Sequence, residues 1–229
     1  MRRTARQRGF SLVELLLGVA IALFLAATGT SLLAAHLRDS RSLLLEARLM
    51  QDLRTAADVI TRDLRRAGHW GAAAESVRVA GSTGTPPVNP YLDLALSPGA
   101  GTADAVAFRY SRDATENHRV DSNEQFGFRL RAGVVEMQLG AGNWQALTDP
   151  ASLTITEFSA TPSTEWVDLG ALCGKPCAAG SSGTCPPRQQ VRSIALRLAA
   201  RLPRDATVAR SVRSQVRLRA DPVVGACEV

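Results

Sequence analysis

The sequence predicts an α+β fold in which one long N-terminal helix packs on an antiparallel β-sheet. Three observations carry this reading. The twenty-one residues from Leu15 to Ala35 bear no charge. Beyond them Met50, Leu53, Ala57, Ile60, Leu64 and Ala67 recur at helical spacings of three and four, and after Gly71 the apolar period changes to two. With 229 residues, 45% of them hydrophobic and 21% charged, the chain has enough apolar surface to bury a core, and its composition is neither disordered nor collagen-like. The formal net charge is +6, yet residues 1–9 hold four arginines and no acid. The remainder has 23 basic against 21 acidic residues, so the high basicity is no argument for nucleic-acid binding.

The uncharged stretch, at about 1.5 Å per helical residue, is roughly 31 Å long, which matches the hydrocarbon core of a bilayer. Arginines ahead of it and the bulk of the chain behind it place the N-terminus in the cytoplasm and the rest outside. A cleaved secretory signal ending near Ala27-Thr28-Gly29 is the competing reading. Two features oppose it. Glu14 sits at the start of the apolar run, where a carboxylate costs about 2.5–3.5 kcal/mol and needs a reason. The helical pattern also continues past the apolar run, from Phe10 to Ala67 without a proline, and Gly68 reads as the residue that closes it. Off the apolar stripe, Arg48/Asp52, Arg54/Asp58 and Asp58/Arg62 stand at i,i+4, each pair worth about 0.2–0.5 kcal/mol.

The strands follow. Val106, Phe108 and Tyr110 share one face, as do Phe126, Phe128 and Leu130, then Val135, Met137 and Leu139; Gly133 and the run Gly140-Ala141-Gly142-Asn143 supply turns. Near the end Ile194, Leu196, Leu198 and Leu202 alternate, and a Pro203-Arg204-Asp205 turn leads to Val208, Val212, Val216 and Leu218, a long antiparallel hairpin. The Pro- and Gly-rich stretch 81–101 and the polar stretch 111–124 read as loops.

No nucleophile elbow, metalloprotease helix, phosphate-cradling glycine loop or calcium loop is present, and His36, His69 and His118 are scattered. The expectation is no catalytic residue, no metal and no cofactor. Cys173, Cys177, Cys185 and Cys227 fit no common zinc spacing closely, and outside the cytoplasm an even count reads as disulfides. Three pairings are open; preferred are Cys177–Cys185, closing the loop over 178–184, and Cys173–Cys227, tying down the C-terminus. Arg129, Arg131, Arg213, Arg217 and Arg219 fall on the solvent phase of strands. They read as a solvated, edge-protecting face more readily than as a DNA surface, since no aromatic residues interleave with them.

The residues Gly9-Phe10-Ser11-Leu12-Val13-Glu14, behind a basic leader and ahead of an apolar helix, resemble the class III signal of type IV pilins and type II secretion pseudopilins. The run Asp63-Leu64-Arg65-Arg66-Ala67-Gly68-His69-Trp70-Gly71 is similar to that of PilW-like minor pilins, and a related shape occurs in minor pseudopilins. The resemblance implies a type IV pilin-like fold with a cleaved leader over 1–9, a transmembrane helix half over 10–37, an amphipathic half over 38–71 and a β-rich extracytoplasmic domain over 72–229. It further implies that prepilin peptidase cuts between Gly9 and Phe10 and methylates Phe10, and that Glu14 meets the N-terminal amine of a neighbouring subunit. The implied partners are other minor pilins, the major pilin, the pilus assembly platform and the inner membrane, with nucleic acid an unlikely one. The implied role is a minor pilin that initiates type IV pilus assembly for twitching motility, its domain in the periplasm and its place near the pilus tip. A minor pseudopilin and a DNA-uptake pilin are the alternatives.

Overall fold

A computed structural model describes residues 11–76, 86–97, 104–178 and 185–228 of the chain. Two compact units divide it, Met1–Ala47 and Arg48–Val229. One helix, α1 (Leu12–Leu64), runs from the first unit into the second. In the first unit every described side chain is exposed apart from a half-buried Glu46; Leu12 is 75% accessible and Leu25 62%.

Burial starts at Leu49 and continues through Leu53, Ala57, Ile60 and Leu64, steps of four, four, three and four that keep one stripe of the helix inward. The i,i+4 pairs on the opposite face do not close to ion-pair distance. Long exposed arginines lose more rotamer freedom in such a pair than a screened attraction returns, while Asp63 lies 3.9 Å from Arg66 just past the helix end. The helix does not end directly on its glycine. The N–H groups of Arg66 and Ala67 bond to the carbonyls of Asp63 and Leu64 in tight turns, and Gly68, at φ +78°, donates instead to the Arg109 carbonyl at 2.8 Å.

The strands form two antiparallel sheets where the sequence predicts one. The first is a meander of β1 (Leu94–Ser97), β2 (Ala105–Arg109), β3 (Gln125–Arg131), β4 (Val134–Leu139) and β5 (Trp144–Ala146). The second contains β6 (Thr154–Asp168), β7 (Arg188–Arg201) and β8 (Ala209–Arg217), with the short β9 (Val223–Val224) also on β7. Strand β1 lies inside the stretch read as loop, a correction to that reading. Strands β3 and β4 are joined by Ala132 (φ 49°) and Gly133 (φ +78°), a two-residue turn whose positive φ values match the twist of a hairpin.

Both sheets and the helix stripe of the second unit share one core. Phe108, Phe126, Phe128 and Val135 meet Phe158, Ala160, Ile194, Leu196, Leu198 and Val216 around Leu53, Ile60 and Leu64. Phe128 is fully buried, so truncating it to alanine costs about 3–5 kcal/mol in lost transfer energy and cavity. Tyr110 and Phe126 stack with centroids 3.9 Å apart, and the Arg66 guanidinium lies 4.1 Å from the Tyr110 ring centre, tying the end of the helix to β2 and β3.

Candidate functional site

The predicted processing residues Gly9 and Phe10 lie outside the described residues. Glu14 is in the first turn of α1, where its charge complements the positive helix N-terminus, and it is exposed. Around it Leu12, Val13, Leu15, Leu16 and Leu17 are all more than half accessible. A cylinder of leucine, valine and alanine carrying one carboxylate is unfavourable in water, and the carboxylate is equally unfavourable facing lipid. The helix is long and apolar enough to cross a bilayer; lipid or other apolar helices would cover this surface, and a carboxylate among them is stabilised by a cationic neighbour. A Cβ at Gly18 would touch nothing, so that face admits the close approach of another helix.

The four cysteines pair as Cys173–Cys227 and Cys177–Cys185, with Cα separations of 5.4 and 5.7 Å, so none is left as a thiol or metal ligand. The five arginines predicted on strands do not fall on one sheet: Arg131 joins Arg129 on β3, and Arg219 lies past the end of β8, outside any strand. Arg129 belongs to the first sheet, where its Nε donates to Glu136 at 2.6 Å and its guanidinium lies 3.9 Å from the Trp144 ring centre. Arg213 and Arg217 belong to the second, and Arg217 is engaged by Asp221 at 2.5 Å.

A buried polar network went unread in the sequence. Glu124 is fully inaccessible. Its Oε1 accepts the Arg112 N–H at 2.7 Å, and its Oε2 accepts the Asp121 N–H at 2.9 Å and the Tyr91 hydroxyl at 3.0 Å. The Tyr91 hydroxyl also lies 3.1 Å from Glu116 Oε1 and 2.9 Å from the Arg119 carbonyl. Burial, then the sharing of the phenol's one proton between the Glu124 and Glu116 carboxylates, pushes the Tyr91 hydroxyl well above its ordinary value. Glu116 is shifted the opposite way. Burial raises it, but donated hydrogen bonds from the Ser111 hydroxyl, the His118 N–H, Tyr91 and the Gly71 N–H outweigh that and hold its carboxyl below the usual range.

Carboxylate oxygens of Asp113, Asp121 and Glu124 converge within 4.8 Å, the spacing a divalent cation would need. Desolvation, then the charges of Glu124, Asp121 and Glu116, push the Asp113 carboxyl up. Asp121 and Glu124 stand at the first and last positions of a capping box, with Ser122–Glu124 the short 3₁₀ turn it caps. Their placement is accounted for by that cap, and the network fastens the 111–124 loop beside the Gly68–Gly71 junction through Gly71 N–H to Glu116 Oε2 at 3.2 Å. The Asp-x-x-Glu spacing was the one signal in the sequence that could have revealed it.

Two protein families match the chain. The prokaryotic N-terminal methylation motif covers residues 4–30, which include Gly9, Phe10 and Glu14. Prepilin peptidase-dependent protein B covers residues 42–218, which include the buried half of α1 and the strands from β1 through β8. No curated relative and no solved structure matches. A prepilin-type N-terminus, an apolar N-terminal helix consistent with a single-pass membrane anchor, and a helix-on-sheet domain matched over most of its length agree: the chain belongs to the prepilin peptidase-dependent protein B family, type IV pilin-like proteins processed by prepilin peptidase.

Proposed function

We propose that this protein is a minor pilin that joins other minor pilins in the inner membrane and initiates type IV pilus assembly, its domain in the periplasm. The observation that supports this reading is the open apolar surface of α1 with its single carboxylate, Glu14. A neighbouring subunit's helix and its N-terminal amine satisfy both requirements at once, because a carboxylate and an ammonium in a low-dielectric bundle offset each other's desolvation. The role is structural. Catalysis is not part of it.

The same charge logic gives the protein its position. Each glutamate meets the amine of the subunit nearer the tip, so an outermost subunit has nothing for its glutamate to meet. A subunit that retains Glu14 belongs just beneath the tip.

The test is Glu14→Ala in the full-length chain, read by cross-linking in native membranes and by pilus counts. Fewer cross-links to other minor pilins and fewer pili are expected, with leader cleavage intact, because the peptidase reads the residues before the cut. Normal piliation with unchanged cross-links would refute the assembly role. Cross-links only to components of a secretion system would favour the pseudopilin alternative.

A further inference from the structure

The solvent face of the second sheet carries a charge arrangement that the assembly role of α1 does not use. Register places Arg197 of β7 directly opposite Arg213 of β8, with Ser159 of β6 on the other side of Arg197. One step along, Thr161, Ala195 and Gln215 form the next row. These six residues line most of a shallow depression of about 430 Å³.

Like charges directly opposed across strands are unfavourable unless an anion lies between them. Glu157 supplies half of what is required: its Oε2 is 3.4 Å from Arg197 Nε. That Nε is nevertheless buried and makes no hydrogen bond, and Arg213 forms no ion pair among the described residues. Arg197 thus has one carboxylate at ion-pair distance and Arg213 has none, and the small side chains beside them leave room for another. The hydroxyls of Ser159 and Thr161 and the amide of Gln215 add further donors around the space.

We propose that this depression receives an aspartate or glutamate side chain from another subunit of the assembly, held between Arg197 and Arg213. The identity of the partner rests on the pilin reading above, while the carboxylate site itself rests on this geometry alone. A single protein carboxylate suits the space better than a nucleic-acid backbone for three reasons. No aromatic ring lines it for base stacking. Of the next basic residues on the face, Arg217 is already bound to Asp221 and Arg201 stands four residues from Arg197 at the far end of β7, so no continuous basic track runs from the depression. Glu157 at the rim repels a chain of phosphates but leaves room for one carboxylate.

The experiment places a photo-cross-linking residue at the exposed Ser211, two residues from Arg213 on the same face, in the full-length protein in native membranes. The expected adduct joins a subunit bearing an N-terminal methylation motif, through a peptide that contains Asp or Glu. Its yield should fall about tenfold in Arg213→Glu, and return when the captured acid is changed to arginine. Arg204→Glu, an equal charge change in the exposed turn before β8, should leave the yield within about twofold of the parent. Thermal unfolding of Arg213→Glu confirms that the variant folds. An adduct indifferent to Arg213→Glu, one lost equally in Arg204→Glu, or one formed only with nucleic acid would overturn the site while leaving the Glu14 result untouched. An Arg213-dependent adduct to a protein without the methylation motif would overturn the partner named here.

Discussion

Gly68→Ala tests the junction at which the chain leaves α1 for the sheets. Alanine at φ +78° carries about 1–2 kcal/mol of left-handed strain. Its Cβ would also sit 2.6 Å from the Ala220 Cβ, more than 1 Å inside ordinary contact. Ala220 cannot retreat freely, because its carbonyl accepts Arg192 Nη2 at 3.0 Å while Nη1 of the same guanidinium donates to the Leu92 carbonyl at 2.7 Å. Relieving the clash therefore weakens a charge-assisted hydrogen bond, for about 1 kcal/mol more. The sum, about 2–3 kcal/mol, corresponds to a Tm lower by roughly 5–10 °C for a chain of this size. Thermal unfolding of the full-length protein in detergent, followed by tryptophan fluorescence, measures it. A cycle with Ala220→Gly isolates the clash: the double variant should recover about 1 kcal/mol beyond additivity. Stability within about 0.5 kcal/mol of the parent, or strict additivity in the cycle, would refute the close approach.

Replacing Gly9 with a bulky residue should leave the precursor uncut, whereas mass spectrometry of the parent should find a methylated Phe10 at the mature N-terminus; a start at Ser11 or beyond Gly29 would contradict the processing site. Because the folded state holds the Glu116 carboxyl below its ordinary value, its contribution is complete above pH 4.5 and is lost as pH falls through the lower folded value. The protection factors of the Gly71 and His118 amides, taken against the intrinsic exchange rate at each pH, should then fall in acid, and Glu116→Gln should flatten that dependence; Asp113, shifted upward, acts in the opposite sense, so the comparison belongs in an Asp113→Asn background. Thiol titration of the unreduced protein should find no free sulfhydryl and no bound zinc, and reduction should lower stability by about 2–4 kcal/mol per bridge.

The parts of the fold that a sequence displays are those whose side chains repeat. The 3–4 spacing from Leu53 to Leu64 and the alternation through Ile194, Leu196 and Leu198 identify the helix and the β7–β8 hairpin, because one face of each meets the core along its whole length. Strand β6 is the longest in the fold and was not legible. A bulge between Ile155 and Glu157 shifts its phase, Pro162 interrupts it, and beyond Ala160 its residues are largely exposed, so no alternation survives. Strand β1, at four residues flanked by Pro and Gly, is too short to show a period. The division into two sheets falls between β5 and β6, so it was hidden with β6, which pairs with β7 and not with the first sheet. At the N-terminus the candidate site was legible because its chemistry is local, six consecutive residues. The Glu124 network draws on Tyr91, Arg112, Glu116 and Asp121, whose convergence exists only after folding.

In the proposed filament, anchored in a membrane and attached outside it, the chain would carry tension, and the Cys173–Cys227 link decides which parts of it feel that load. The bridge joins two points 54 residues apart and encloses β7, β8 and β9 in one covalent ring, within which Cys177–Cys185 closes a smaller one. A force entering through α1 and leaving near the C-terminus crosses from Cys173 to Cys227 through sulfur, so the enclosed hairpin is bypassed as a mechanical element. What remains in series is the run from α1 through β6, and the load-limiting contacts are therefore those of the first sheet and of β6 with its neighbours.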